Sequence, residues 1–160
     1  MQINVIEYFE KGAALKFGAK VAVMEKGRQF TFKEIERFSK NCAALIFKRT
    51  PATRQPVAVF LPKSAESIVA NHGILYSGNA YANFDIKSPL QRLKGMLDNL
   101  NPAIIVTSAA HAAPLRAAGV AEEKLFYVDQ AMVAEQLYDN AVLLKRLDSI
   151  IDTDPCCIIH

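Results

Sequence analysis

The sequence predicts an α/β domain of three layers, with helices covering both faces of a mostly parallel sheet, preceded by an N-terminal helix and a short hairpin. Three observations predict it. From residue 56 onward, short apolar runs lacking polar alternation take turns with amphipathic stretches at helical spacing. The apolar runs are bounded by Pro, Gly, Asn or Asp, as strands covered on both faces are. The chain has 160 residues, 51% hydrophobic and 22% charged, which suffices for one buried core and lies far from a disordered composition.

The elements follow in order. Residues 3–17 place Ile6, Phe9, Ala13 and Phe17 at helical spacing, and Gly18 stops the helix. Val21-Ala22-Val23-Met24 and Gln29-Phe30-Thr31-Phe32 flank Glu25-Lys26-Gly27-Arg28, a hairpin pattern. Thr31 with Glu34 forms a capping box for a helix over 32–48, whose apolar face is Ile35, Phe38, Cys42, Leu45 and Ile46. Thr50-Pro51 ends it, because the residue before a proline avoids the α region. Pro56-Val57-Ala58-Val59-Phe60-Leu61-Pro62 reads as a buried strand.

Ser64 caps the next helix, with Ser67 three residues on. Its stripe is Ala65, Ile68, Val69, His72, Leu75 and Tyr76, and Gly78 closes it. Residues 80–85 form the following strand. Ser88-Pro89-Leu90-Gln91 gives Ser at N-cap, Pro at N1 and Gln at N3 of a helix faced by Leu90, Leu93, Leu97 and Leu100, stopped by Asn101-Pro102. Residues 103–107 are a strand. A short helix starts near Ala113, with Pro114 in its first turn, and ends at Gly119. Residues 125–128 are a strand, and a helix over 131–150 presents Leu137, Ala141, Leu144, Leu147 and Ile151. After the turn Asp152-Thr153-Asp154-Pro155, a new apolar run begins at Cys156. The repeated strand–helix–strand order makes the whole Rossmann-like.

Composition excludes several functions. Residues 1–63 carry twelve Lys/Arg against five Asp/Glu, and residues 64–160 seven against eleven. No dense basic run interleaves with aromatics, so no nucleic-acid partner is expected. No apolar run reaches the roughly 18 residues of a membrane span. The N-terminus has no secretory pattern, and a cytoplasmic location is expected. Three cysteines make no disulfide framework. Cys42, on a helix stripe, and the adjacent Cys156 and Cys157 read as buried, reduced thiols, with the adjacent pair pointing to opposite faces of a strand.

Candidate chemistry is sparse. The seven glycines do not cluster, and no phosphate-cradling loop, nucleophile elbow or His-Glu-x-x-His pattern occurs. His72 reads as a core histidine with a hydrogen-bond partner, His111 as solvated, and His160 as the last residue of an apolar run. No pair of them has metal-ligand spacing. Asp85 and Asp129 both follow strands, at the sheet end where ligands bind, so they could hold Mg²⁺ as in a receiver domain. Turn formation is the preferred reading of Asp85.

Three stretches resemble the N-terminal part of the adenylate-forming (AMP-binding) ligase superfamily. Phe30-Thr31-Phe32-Lys33-Glu34-Ile35 is similar to its early aromatic-Thr-aromatic-x-Glu-Leu element. Residues 56–64, with Glu66, are similar to its next strand. Residues 74–85 resemble its Leu-Lys-Ala-Gly-x-Ala-Tyr-x-Pro-Leu-Asp element, continued by Pro89 and Arg92. Asn83 stands where the family usually has proline. Gly78, Tyr81 and Thr31 have structural roles.

The resemblance implies that these 160 residues form a single unit, the N-terminal subdomain of a ligase most like the amino-acid adenylation and acyl-CoA synthetase branches. In the family, a segment like Asp154-Pro155-Cys156-Cys157-Ile158-Ile159-His160 leads into the Ser/Thr/Gly-rich loop around the ATP phosphates. Catalytic, cofactor-binding and metal residues are therefore expected downstream, and none is assigned here. The parent would use ATP and Mg²⁺ to activate a small carboxylic or amino acid as its adenylate, then transfer it to a CoA or carrier-protein thiol. The 160 residues alone are expected to be inactive and, with an apolar surface uncovered, to self-associate. Two alternatives are a free-standing α/β interaction module and a receiver-like domain.

Overall fold

A computed structural model describes residues 4–25 and 27–159 of the chain. His160 and Lys26 of the expected hairpin turn lie outside the described residues. The N-terminal helical segment consists of α1 (Val5–Glu7), a π-helical stretch (Tyr8–Ala14) and α2 (Leu15–Phe17). In the π-helical stretch the Leu15 N–H reaches the Glu10 carbonyl, five residues back. This wider turn shifts the apolar face. Ile6 and Ala14 are buried, whereas Phe17, expected on the stripe, is exposed.

β1 (Val21–Glu25) and β2 (Arg28–Thr31) form the expected antiparallel hairpin, with Gly27 at φ +80. Glu25 docks it on the body. Its carboxylate accepts the Ala65 N–H at 2.9 Å, at the N-terminus of α4 (Ala65–Tyr76), where negative charge is favoured. Arg28 adds an ion pair to Glu66 at 2.8 Å.

α3 (Phe32–Arg49) begins at the predicted capping box. Glu34 Oε2 accepts the Thr31 N–H at 2.8 Å, and the Glu34 N–H donates to Thr31 Oγ1 at 3.2 Å. These bonds from Thr31 hold the Glu34 carboxyl below its ordinary range. α4 starts at its own box of Ser64 and Ser67. Its buried face is rotated from the expected stripe. Ala65, Val69, Ala70, Gly73, Ile74 and Tyr76 are buried, while Ile68, His72 and Leu75 are only partly so. Gly73 lies on this face, and its missing side chain lets α4 press against Cys42 of α3.

The main sheet is parallel, ordered β4 (Ala80–Asn83), β3 (Pro56–Val59), β5 (Ile104–Thr107), β6 (Leu125–Tyr127). Strand parity divides the core. Val57, Val59, Ile104, Val106 and Phe126 point to the α3/α4 side. Ala58, Phe60, Ala82, Ile105 and Leu125 point to the other, under Leu93 and Leu97 of α5 (Leu90–Leu100) and Leu115 of α6 (Ala112–Ala117). The predicted three-layer α/β/α architecture is thus observed. Ile6 of the N-terminal segment and Leu143 and Leu147 of α7 (Asn140–Leu147) pack on Ala43 and Tyr76 as an extra outer layer.

Two helix starts differ from expectation. Ser88 does not cap α5. The N-cap is Pro89, which has no side-chain acceptor, because Asp85 takes the preceding residues into a turn. Asp85 Oδ1 accepts the Lys87 N–H at 2.9 Å, and its carbonyl accepts the Ser88 N–H at 3.0 Å. The helix expected over 131–150 is confined to α7, capped by Asp139 Oδ1 on the Ala141 N–H at 2.8 Å. Asn41, fully buried on α3, captures the chain before it. Its Nδ2 donates to the carbonyls of Ala131 (3.1 Å) and Glu135 (2.9 Å), and its Oδ1 accepts the Leu137 N–H at 2.8 Å. These groups would otherwise serve helical bonds. The face of α7 turns accordingly. Leu143 is buried in place of Leu144, and Ile151 is exposed.

Candidate functional site

In open parallel sheets, ligands bind beyond the carboxyl ends of the strands. There, the loops leaving β3 and β4 border a cleft of about 770 Å³. Lys63 and Lys87 flank it, both exposed, together with Ser67, Asn71, Asn83 and Asp85. The floor is firm: the Phe84 N–H donates to the Val59 carbonyl at 2.8 Å, and Thr107 Oγ1 to the Phe60 carbonyl at 3.0 Å. Asn71 Oδ1 is enclosed without a hydrogen-bond partner among the described residues. The two exposed cations can bind a polar or anionic group, whereas Asn71 Oδ1, an acceptor, can take only a donor hydrogen. Nothing in the cleft pairs a nucleophile with a base, so it offers binding rather than bond-making chemistry.

The sequence-predicted candidates do not converge. Asp85 and Asp129 are exposed and follow β4 and β6, the two outer strands of the sheet with β3 and β5 between them. Strands about 4.8 Å apart leave them roughly 14 Å from one another, too far to share an ion. The receiver-like alternative loses its geometry. Among the described residues, no group of three or more His, Cys, Asp or Glu could hold a metal.

Three further expectations are corrected. Cys42 is buried, and burial raises its thiol pKa, but Cys156 and Cys157 are exposed. They sit on the outer flank of β4, tied to the sheet by a parallel bridge from Tyr81 to Cys157. His111 is half-buried, with Nδ1 2.8 Å from Ser108 Oγ. Among the described residues His72 has no partner at Nδ1. Its ring instead stacks on Phe9, centroids 4.5 Å apart.

Burial lowers the His72 pKa from 6.5 to about 4. A histidine depressed in this way keeps its full contribution above pH 6.5, and the contribution is lost as pH falls from 6.5 to about 4. The loss amounts to about 3 kcal/mol. His72→Phe, which keeps the stack, is expected to flatten urea-unfolding stability across that window. An unchanged acid limb would refute the assignment.

Four residues escaped sequence reading: Asn71 and the lysines of the cleft, and Lys40. Lys40 is nearly buried between Glu10 (2.6 Å) and Glu36 (2.7 Å). Burial opposes its charge, but the two ion pairs outweigh it and hold its pKa above the ordinary value. A lysine on the flank of an apolar stripe carried no signal separable from ordinary surface charge.

The comparisons with known proteins agree with this architecture. The model of the AMP-binding enzyme family matches residues 9–160. The chain is 34% identical over 100 residues to an isonitrile lipopeptide synthase of Streptomyces coeruleorubidus, a match covering 62% of this chain and 7% of that protein. It is 29% identical over 147 residues to a dimodular nonribosomal peptide synthase of Bacillus subtilis (strain 168), covering 90% of this chain and 6% of that protein. The fold matches a crystal structure of the nonribosomal peptide synthetase FmoA3 with TM-score 0.78 and 19% identity, over 99% of this chain and 16% of that one. It matches VinN with TM-score 0.76 and 13% identity, over 98% of this chain and 42% of that one. The 160 residues therefore span under a tenth of these two curated relatives and less than half of either structural match. Because the family model matches residues 9–160, nearly the whole of these 160 residues, the chain belongs to the AMP-binding enzyme family.

Proposed function

We propose that this chain is the N-terminal subdomain of an adenylate-forming ligase, a single folding unit within a longer enzyme. The observation that carries the reading is the family match over residues 9–160, in a chain that spans under a tenth of those two peptide-synthase relatives. The whole ligase would join a small carboxylic or amino acid to AMP, release pyrophosphate and pass the acyl group to a carrier-protein or CoA thiol. No helix among the described residues is long and apolar enough to cross a membrane. A cytoplasmic setting, where ATP is plentiful, goes with this reading.

ATP and Mg²⁺ do not fit the residues present. The exposed, separated Asp85 and Asp129 make no metal site, and no glycine-rich turn brings backbone amides together around a phosphate. We therefore assign the nucleotide and metal ligands to parts of the ligase beyond these 160 residues. The purified 160-residue chain is expected to show no carboxylate-dependent ATP–pyrophosphate exchange, and a longer protein carrying it is expected to show exchange. Exchange by the short chain would overturn the assignment. A longer protein that shows no exchange with any carboxylate or amino acid tried would favour an interaction module over a ligase subdomain.

A further inference from the structure

We propose that Arg54 and Arg146 are positioning residues that set the register of the last extended segment against β4, and so the direction in which the polypeptide leaves the sheet. The catalytic consequence rests on the ligase reading above. The segment itself is weakly held. The Tyr81 N–H donates to the Cys156 carbonyl at 3.2 Å, and the Ile158 N–H donates to the Tyr81 carbonyl at 2.8 Å. Cys156, Cys157 and Ile159 are exposed and Ile158 is only partly buried against the core, so burial does little to lock the segment.

The lock lies just before. Arg54 Nε donates to Asp154 Oδ1 at 2.8 Å, and its Nη2 donates to the Ser149 carbonyl. The other Asp154 oxygen accepts the Ile151 N–H at 3.0 Å. Arg146 spans three carbonyls: Ser77 (2.9 and 3.0 Å), Pro51 (2.8 Å) and Ala52 (3.0 Å). Its guanidinium lies 4.3 Å from the Phe47 ring centroid. Arg146, in the last turn of α7, thus ties that helix to Ser77 ahead of β4 and to residues 50–55, and Arg54 ties the stretch after α7 to that same 50–55 loop, which leads into β3. That loop is itself fastened, by Gln55 N–H to Asn79 Oδ1 at 3.0 Å and Ala80 N–H to the Gln55 carbonyl at 3.1 Å.

Arg54 is built into this at a cost. Its φ is +59, the left-handed region that glycine or asparagine normally fills. Exposed ion pairs contribute little to global stability, so a strained, exposed arginine is a poor stability device. Fixing a local register is a role for which the strain is tolerated.

Arg54→Gly separates the two roles, since it removes the strain together with the clamp. In the 160-residue chain the thermal midpoint is expected to hold or rise, while the Tyr81 and Ile158 amides exchange hydrogen about tenfold faster. Asp154→Asn, which weakens the clamp and leaves the Arg54 strain in place, is expected to speed exchange at the same amides with no rise in midpoint. Pairing Arg54→Asp with Asp154→Arg should restore protection. Unchanged exchange at both amides, or a fall in midpoint with protection lost throughout the chain, would overturn the proposal.

In a longer ligase carrying the chain, Arg54→Gly is expected to raise the KM for ATP and leave the KM for the carboxylate alone. An unmoved KM for ATP alongside faster amide exchange would overturn the catalytic consequence and keep the clamp. No exchange activity in the unsubstituted longer protein would count against the ligase reading, which the amide measurement does not depend on.

Discussion

Gly73→Ala is expected to destabilise the chain by about 2–3 kcal/mol, read from urea unfolding followed by circular dichroism. On helix propensity alone the sign would be opposite, since alanine is favoured over glycine by about 1 kcal/mol inside a helix. Packing decides it. A Cβ at position 73 would stand 2.6 Å from Cys42 Cβ, 2.7 Å from its Sγ and 3.0 Å from the Ser39 carbonyl oxygen. Cys42 and Ser39 are both completely buried on α3, so neither can step aside without moving that helix away from the sheet. The double variant with Cys42→Gly should cost clearly less than the sum of its parts, because the second change removes the side chain that the first collides with. A Gly73→Ala chain as stable as the parent would show that α3 and α4 are not in the contact described.

Asn41→Ala is expected to cost about 3 kcal/mol, roughly 1 kcal/mol for each of three buried or half-buried hydrogen bonds. The effect should also be local. The Leu137 amide, which donates to Asn41 Oδ1, should lose protection first, along with the rest of residues 131–139. Two carbonyls and one N–H on that stretch lose their partner at once. A loss below about 1 kcal/mol, or Leu137 protection that survives, would show that the stretch is held by its apolar side chains instead.

The contrast between these two positions shows what could be read from sequence. The capping boxes at Thr31 and Ser64 and the stop at Asn101, which adopts φ +44, were legible because they depend on residues within one turn of each other. The strands were legible because parity and flanking turn residues are local too. Asn41 is different. A lone asparagine beside an apolar stripe looks like surface, and its partners lie ninety or more residues away. The helix predicted over 131–150 failed for the same reason, since its periodicity was genuine but a distant side chain took its backbone groups. Ser88 failed more locally, losing a competition with the Asp85 turn.

The cleft was legible only as a place. Alternating strands and helices imply a crevice at the carboxyl ends of the strands, and Asp85 was found near it. Which side chains border that crevice depends on strand order. Strand order also separates Asp85 from Asp129 and so removes the metal site that their common position after strands had offered.

By itself the sequence determined the α/β class, the succession of elements, the helix caps and the resemblance to AMP-binding enzymes, because each rests on contacts or patterns confined to neighbouring residues. Only the tertiary structure decided which face of α4 is buried, that residues 131–139 are not helical, that Cys156 and Cys157 are exposed, and that Arg54 sits in a left-handed conformation holding Asp154. Those outcomes turn on groups far apart in the chain competing for the same space or hydrogen bond. Such competition is settled by packing, which no local pattern encodes.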